Sequence, residues 1–291
     1  MVKSSFCFPW EQVSSFIKPQ LPSNATAPES FAFDFHGGGP YTGISDGRIV
    51  KYEGSYDGFV DFAFTASTRS KALCDGITNL TLSPICGLPL GLSFNYVTRN
   101  LYAVDPFIGL TVVGPHGGLA TTLATSADGV PFSFLVGVDT DPLTGIVYFT
   151  DASAIYGPSN VTESIRRAVG TAASGDGTFA LVSEFIGKRI QKYWLEGPKA
   201  NIAETFMTFD GNPNKIKRNP LGDFWVAVNY QTYDSTPVAA PVGLRIITSG
   251  KVIETVDLSD EYNQRITTVQ QQLGSLYIGT RFANFVGVYK I

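Results

Sequence analysis

The chain has 291 residues, of which 44% are hydrophobic and 16% charged. That balance excludes a disordered chain, since an average soluble domain is roughly a quarter charged. Lys and Arg number 21 against 25 Asp and Glu, a net charge of -4, so no basic surface is expected for a phosphate backbone and nucleic acid is excluded as a partner. No run approaches the ~18 apolar residues that span a bilayer, and no membrane partner is expected.

The first twenty residues mix Ser, Lys, Glu and Pro and hold no apolar run of ~7 to 15 residues, so no export signal is visible. Residues 1–30 read as an N-terminal extension and 31–291 as one domain, because no linker or low-complexity run divides them. From residue 41 onward a β-branched or aromatic run ending in a small or polar residue recurs: YTGISD (41–46), LYAVD (101–105), IVYFTD (146–151), FALVSE (179–184), FWVAVN (224–229) and LYIGT (276–280). Several copies lead through a turn into a second strand, as in GRIVKYEG (47–54) and GKRIQKYWLEG (187–197), which predicts antiparallel hairpins. Tyr102 to Tyr148 is 46 residues, Ala180 to Trp225 is 45 and Trp225 to Tyr277 is 52, near the ~40 to 50 residue period of propeller blades. The expected fold is all-β, a six-bladed β-propeller. A sandwich or barrel predicts no such repeat.

One interval is short. Tyr148 to Ala180 spans 32 residues, and SNVTESIRRAVGTAASG (159–175) has little strand character. One blade is therefore expected to be truncated, with Thr162 capping a helical turn and Arg166 and Arg167 guarding the exposed edge.

Cys74 and Cys86 bracket an eleven-residue loop of the kind a local disulfide closes, leaving Cys7 free; three reduced thiols are the alternative. Acceptor sequons stand at Asn24, Asn79 and Asn160, each in a polar, turn-like context. Together they point to the secretory pathway.

The two histidines, His36 and His116, lie beside glycines and read as turn residues. With no His cluster and no CxxC pair, no metal and no cofactor is expected. There is no GxSxG elbow, and GGGP (37–40) lacks the lysine of a phosphate loop. A site in a propeller would be assembled from scattered residues around the channel.

The segments VDFAFTAS (60–67), KALC (71–74), LATSADGVPFSFL (123–135), TGIVYFTDAS (144–153), EFIGKRIQKYWLEGPK (184–199) and IKRNPLGDFWVA (216–227), with LYIGT, resemble strictosidine synthase and its plant relatives from about Phe31 to Ile291. The resemblance implies a six-bladed propeller, a vacuolar or secretory location, and an ancestral condensation of an aryl-ethylamine with an aldehyde in alkaloid biosynthesis. It also implies a catalytic glutamate in a short motif of the form His-Phe-Glu-Gln-Ile before the LYIGT strand. Aligned there, this chain has Thr267 in place of the glutamate and Arg265 in place of the histidine. A threonine hydroxyl is neither a general base near neutral pH nor an anchor for an ammonium, whereas Arg265 suits an anionic or carbonyl-bearing ligand, or else an exposed rim position. Phe185 aligns with the aromatic that packs on the amine's ring, and Leu90, Phe107, Phe134 and Val136 with cavity-lining positions. All are apolar here, as a hydrophobic ligand or a plain core requires. Glu261 and Glu184 are the candidate proton-transfer groups, Glu184 being the better structural acceptor. Missing inner turns in the truncated segment weaken calcium-dependent hydrolysis.

The resulting expectation is a small-molecule enzyme of plant specialised metabolism that runs a condensation, cyclisation or isomerisation other than the ancestral one. A catalytically silent binding paralogue and the ancestral condensation with a replacement carboxylate are the alternatives.

Overall fold

Alternating runs such as FALVSE and FWVAVN bury one face against each neighbouring sheet, so they settle where both faces are covered. In a computed structural model of the chain, which describes residues 16–22, 24–152, 168–231 and 239–291, every copy of the sequence repeat lies on or at the end of the second strand of a sheet. The innermost strands are Phe31–Ala32, Gly91–Asn95, Leu135–Thr140, Ala168–Ala173, Asn212–Arg218 and Thr268–Gln272. Each pairs antiparallel with its repeat strand.

Among the described residues, five sheets have four or five strands, and the molecule is a β-propeller. The expected count of six is corrected to five built blades. Between the second and third of these stand only two strands, Leu135–Thr140 and Val147–Asp151, at the interval the sequence marks as short. The inner member of this pair packs against the inner strands of both neighbours, so a two-stranded sheet fills the gap. Residues 153–167, with Asn160, Thr162, Arg166 and Arg167, lie outside the described residues, as does Cys7.

The ring is closed by the two ends of the chain. Phe16 pairs with Tyr289 and Ile17 with Val288, making Phe16–Ile17 the outer strand of the last blade, beyond Gly287–Lys290, Ser275–Gly279 and Thr268–Gln272. This covers an edge that would otherwise present unpaired amides. Apolar clusters fill the spaces between adjacent blades: Ile49, Leu92 and Leu101 between the first two, Leu181, Ile190, Ile216 and Phe224 between the third and fourth, Trp225, Val269 and Ile278 between the fourth and fifth. Glycines let neighbouring blades approach: on the inner strand of the third blade an added Cβ at Gly170 would lie 2.8 Å from the Lys215 Cα, and on the second strand of the last blade one at Gly279 would lie 2.1 Å from the carbonyl oxygen of Pro28.

Cys74 and Cys86 are bonded, their Cα atoms 5.6 Å apart, as the loop spacing suggested. Their helical turns, Lys71–Cys74 and Ser83–Cys86, lie over the turn at Gly47, whose φ of +87° requires glycine and where a Cβ would meet the Cys86 carbonyl oxygen at 1.7 Å. Of the sequons, Asn24 and Asn79 are exposed, and the Asn79 side chain accepts from the Thr81 N–H at 3.0 Å.

Candidate functional site

A second strand runs antiparallel to its inner strand, so the end of each repeat meets the start of the inner strand at one end of the ring. In four of the six repeats the polar residue that closes the repeat fastens that entry, whereas Asp46 and Glu184 turn to Arg48 and Arg189. Asp105 accepts from the Leu88 N–H and the Thr65 hydroxyl, both at 2.6 Å, and from the Phe107 N–H at 2.9 Å. Asp151 accepts from Ser133 and Phe134 N–H at 2.8 and 2.7 Å. Asn229 both accepts from the Ile266 N–H and donates to its carbonyl, each at 2.9 Å, and Thr280 donates to the Arg265 carbonyl at 2.6 Å. The polar residue that ends these repeats thus helps to shape this end of the channel. Burial raises the Asp105 carboxyl above its usual range, against the lowering effect of its donors.

Leu90, Phe134, Val136 and Phe185 are buried in one cluster with Leu88, Ala152 and Val169, and Phe107 and Leu80 pack against it. The five aligned apolar positions therefore meet, though they lie up to 95 residues apart in the chain. Leu80 comes from the disulfide loop, so the bridge fixes part of this wall. Arg265 is exposed and stacks over the cluster's edge, its guanidinium carbon 5.6 Å from the centroid of the Phe185 ring. Among the described residues no carboxylate lies within 4.0 Å of it, which leaves its charge free for a ligand.

Thr267 is 8% exposed. Its N–H donates to the Gly279 carbonyl at 2.7 Å, its carbonyl accepts from the Lys215 N–H at 3.0 Å, and its hydroxyl donates to the Glu29 carbonyl at 3.3 Å. Glu261 does not join it: that carboxylate pairs with Lys18 at 2.9 Å, both side chains at least a third exposed. Glu184 is held by Arg189 at 2.6 Å.

Instead, ionisable groups that the sequence reading missed surround Thr267. Glu29 is 8% exposed, and its carboxylate lies 3.6 Å from the Lys215 Nζ and 3.9 Å from the Arg281 Nε. Lys215 is 2% exposed and reaches across the channel, donating to the carbonyls of Glu29 at 3.0 Å and Leu90 at 2.5 Å. Lys217, two residues on and facing the same way, donates to the Leu92 carbonyl at 2.8 Å. Burial pulls both amines down to about 8; Glu29 partly offsets this for Lys215, as Asp139 does for Lys217. Beyond Lys217 the channel holds a cavity of about 60 Å³, lined in part by Ser93, Asp139 and Gln270. The lysines sit in NPNKIKRNP (212–220); only their spacing of two on a strand hinted that both would point into the channel. Nothing marked Glu29. Among the described residues no three His, Cys, Asp or Glu side chains gather to hold a metal.

The fold and this end of the channel define a β-propeller whose axial channel has an apolar cluster on one side and buried ionisable groups on the other. The chain is 39% identical to strictosidine synthase-like 11 of Arabidopsis thaliana over 96% of its length and 92% of the relative's. It is 37% identical to strictosidine synthase of Catharanthus roseus over 92% and 84%. It belongs to the strictosidine synthase-like family. No family model matches the chain. Among solved structures it is similar to a putative oxidoreductase (glucose dehydrogenase) of Thermus thermophilus, with TM-score 0.55 and 13% identity over 95% of this chain and 99% of that one. It is also similar to the nidogen/laminin complex, with TM-score 0.51 and 12% identity over 80% and 81%. At such identities these two speak for the propeller fold alone.

Proposed function

We propose that this chain is an enzyme of plant specialised metabolism, in the vacuole or secretory pathway, that converts a small alkaloid precursor by a condensation, cyclisation or isomerisation other than strictosidine formation. The observation that carries the reading is the buried Glu29–Lys215 pair beside Thr267. It sets beside the aligned position that has lost its own carboxylate another carboxylate, that of Glu29, and the Lys215 amine, which burial lowers to about 8.

In this reading the ligand's apolar body lies against Leu90, Phe107, Phe134, Val136 and Phe185. Arg265 holds its carbonyl or carboxylate. Glu29 takes the proton released at the reacting carbon, and the Lys215 ammonium steadies the negative charge that develops. An aryl-ethylamine lacks its usual anchor, because Thr267 carries no charge and Glu29 is already flanked by two cations. Metal and cofactor have no part in this reading.

A second reading, a small-molecule-binding paralogue without turnover, is favoured by the engagement of the Lys215 amine with two carbonyls and of Glu29 with Lys215 and Arg281. One experiment separates the readings. Wild type, Glu29→Gln and Thr267→Glu are incubated with tryptamine plus secologanin, and with a panel of alkaloid aldehydes and ketones, and products are followed by mass spectrometry. Turnover of a panel member by wild type, lost in Glu29→Gln while ligand binding persists, is the expected result. Binding without product in every variant would establish the silent paralogue. Robust wild-type condensation of tryptamine with secologanin would overturn the claim that the ancestral reaction is lost.

A further inference from the structure

The opposite end of the ring, where the inner hairpins turn, carries a recess that borders the 60 Å³ channel cavity through Phe94 and Tyr96 and contains none of the residues given a role in the function proposed above. Its volume is about 180 Å³, and its walls are Phe35, Tyr41, Phe62, Phe94, Tyr96 and Pro115. The rings meet edge to face, Tyr41 with Phe62 and Phe94 at 4.9 Å between centroids and Phe35 with Tyr96 at 6.5 Å. Two of them stay open to water: Phe35 is 61% and Tyr96 46% exposed. Aromatic side chains gathered around a concavity and left wet mark a surface shaped for an aromatic ligand.

The polar groups at the rim decide which ligand. Asp34 offers nothing, because its Oδ1 accepts the N–H groups of His36 and Gly38 at 3.0 and 2.8 Å. Its Oδ2 accepts the Tyr41 hydroxyl at 3.1 Å and faces the Lys51 ammonium at 4.0 Å. Arg99 is the opposite case. Its guanidinium carbon lies 6.0 Å from the centroid of Phe35, and among the described residues its side chain has no hydrogen-bond acceptor and no carboxylate partner. The His36 imidazole and the Tyr96 hydroxyl are likewise without a hydrogen-bond partner among the described residues. The recess thus presents unused donors and a positive charge, and no unused carboxylate.

We propose that this recess is a second ligand site, for a flat single-ring aromatic carboxylate of the benzoate or cinnamate type. The ligand's ring packs among Phe35, Phe94 and Tyr96, and its carboxylate takes the planar donor fork of Arg99. An aromatic ammonium is disfavoured, since Arg99 and Lys51 repel it and Asp34 is saturated.

The test is titration of the full chain with cinnamate, cinnamyl alcohol and benzylamine, by calorimetry and by saturation-transfer NMR, at low and at physiological salt. Cinnamate should bind at least about tenfold more tightly than benzylamine, as expected for one charge-assisted pair. Arg99→Ala should weaken cinnamate about tenfold and leave the alcohol unchanged, and Phe35→Ala should weaken both. Both side chains are exposed, and circular dichroism checks that the variants stay folded. Arg265→Ala, at the other end of the channel, should leave cinnamate binding unchanged, so this proposal and the function proposed above fail separately. Absence of cinnamate binding, equal or tighter binding of benzylamine, an unchanged affinity in Arg99→Ala, or loss of binding in Arg265→Ala would each overturn the assignment.

Discussion

Replacing Lys215 by Met keeps the stem of the side chain and removes the ammonium that ties three inner strands together. The ammonium donates to the Glu29 and Leu90 carbonyls and neutralises the Glu29 carboxylate from 3.6 Å. Without it, Glu29 stays 8% exposed with only Arg281, at 3.9 Å, to balance it, and removing one partner of a buried pair costs about 3–5 kcal/mol. Against this, the wild-type ammonium is itself penalised by burial. Its fall from 10.5 to about 8 corresponds to an offset of order 3 kcal/mol. The expected net loss is about 0–2 kcal/mol at pH 7, a fall in Tm of at most several degrees, since each kcal/mol is worth roughly 2–4 °C in a chain of this size. The assay is urea unfolding followed by the fluorescence of Trp225, which is wholly buried beside the channel strands. The double variant Lys215→Met with Glu29→Gln should lose less than the two single losses summed, because neither charge is then left alone. The pH dependence has a definite sign. With the native amine at about 8 and the unfolded one at 10.5, the unfolded state binds more protons between those values, so the burial penalty is present in full below pH 8 and is relieved as pH rises towards 10.5. Wild type should therefore gain on Lys215→Met between pH 7 and 9.5. Additive losses in the double variant, a Lys215→Met protein more stable than wild type at pH 7, or the opposite pH trend would refute the argument.

Reduction of Cys74–Cys86, or the paired change of both to Ser, should lower stability by about 3 kcal/mol, from the closure entropy of a loop of this length. Thermal melts with and without reductant measure it, and a ligand seated against Leu80 should bind more weakly to the reduced form. Gly279→Ala should cost about 1–3 kcal/mol by overpacking, because its methyl would enter the space of the Pro28 carbonyl oxygen at 2.1 Å and of Thr268 Cγ2 at 2.8 Å. An unchanged denaturation midpoint would show that the last blade and the segment around Pro28 part more readily than their packing suggests. Asp105→Ala leaves the Leu88 and Phe107 N–H groups without their acceptor, at about 1–3 kcal/mol for each amide that water cannot reach. Hydrogen exchange at those two amides should quicken well before the strands beside them exchange.

The hairpins and their period could be read along the chain because they are local: a repeat strand is set by alternation and by the turn that follows it. The five apolar positions came from the resemblance to the family rather than from the local pattern, and their meeting follows from the topology. Leu90, Phe134 and Phe185 each stand one residue from the end of a strand, so the topology delivers them to the same end of the ring. The Cys74–Cys86 bridge likewise depends on a short stretch of chain. What the sequence did not determine depends on contacts between residues far apart. It suggested six blades, but five are built, because packing lets a two-stranded sheet hold its place against both neighbours. The closing strand, Phe16–Ile17, pairs with the other end of the chain, more than 270 residues away, and two apolar residues give no periodicity to recognise. Glu29 and Lys215 are 186 residues apart, and each looks like an ordinary surface charge when read alone. Only the closed ring turns both inward, takes away their water and shifts the amine to near neutral pH, while Glu261, which stands closer to Thr267 in sequence, is left on the surface with Lys18.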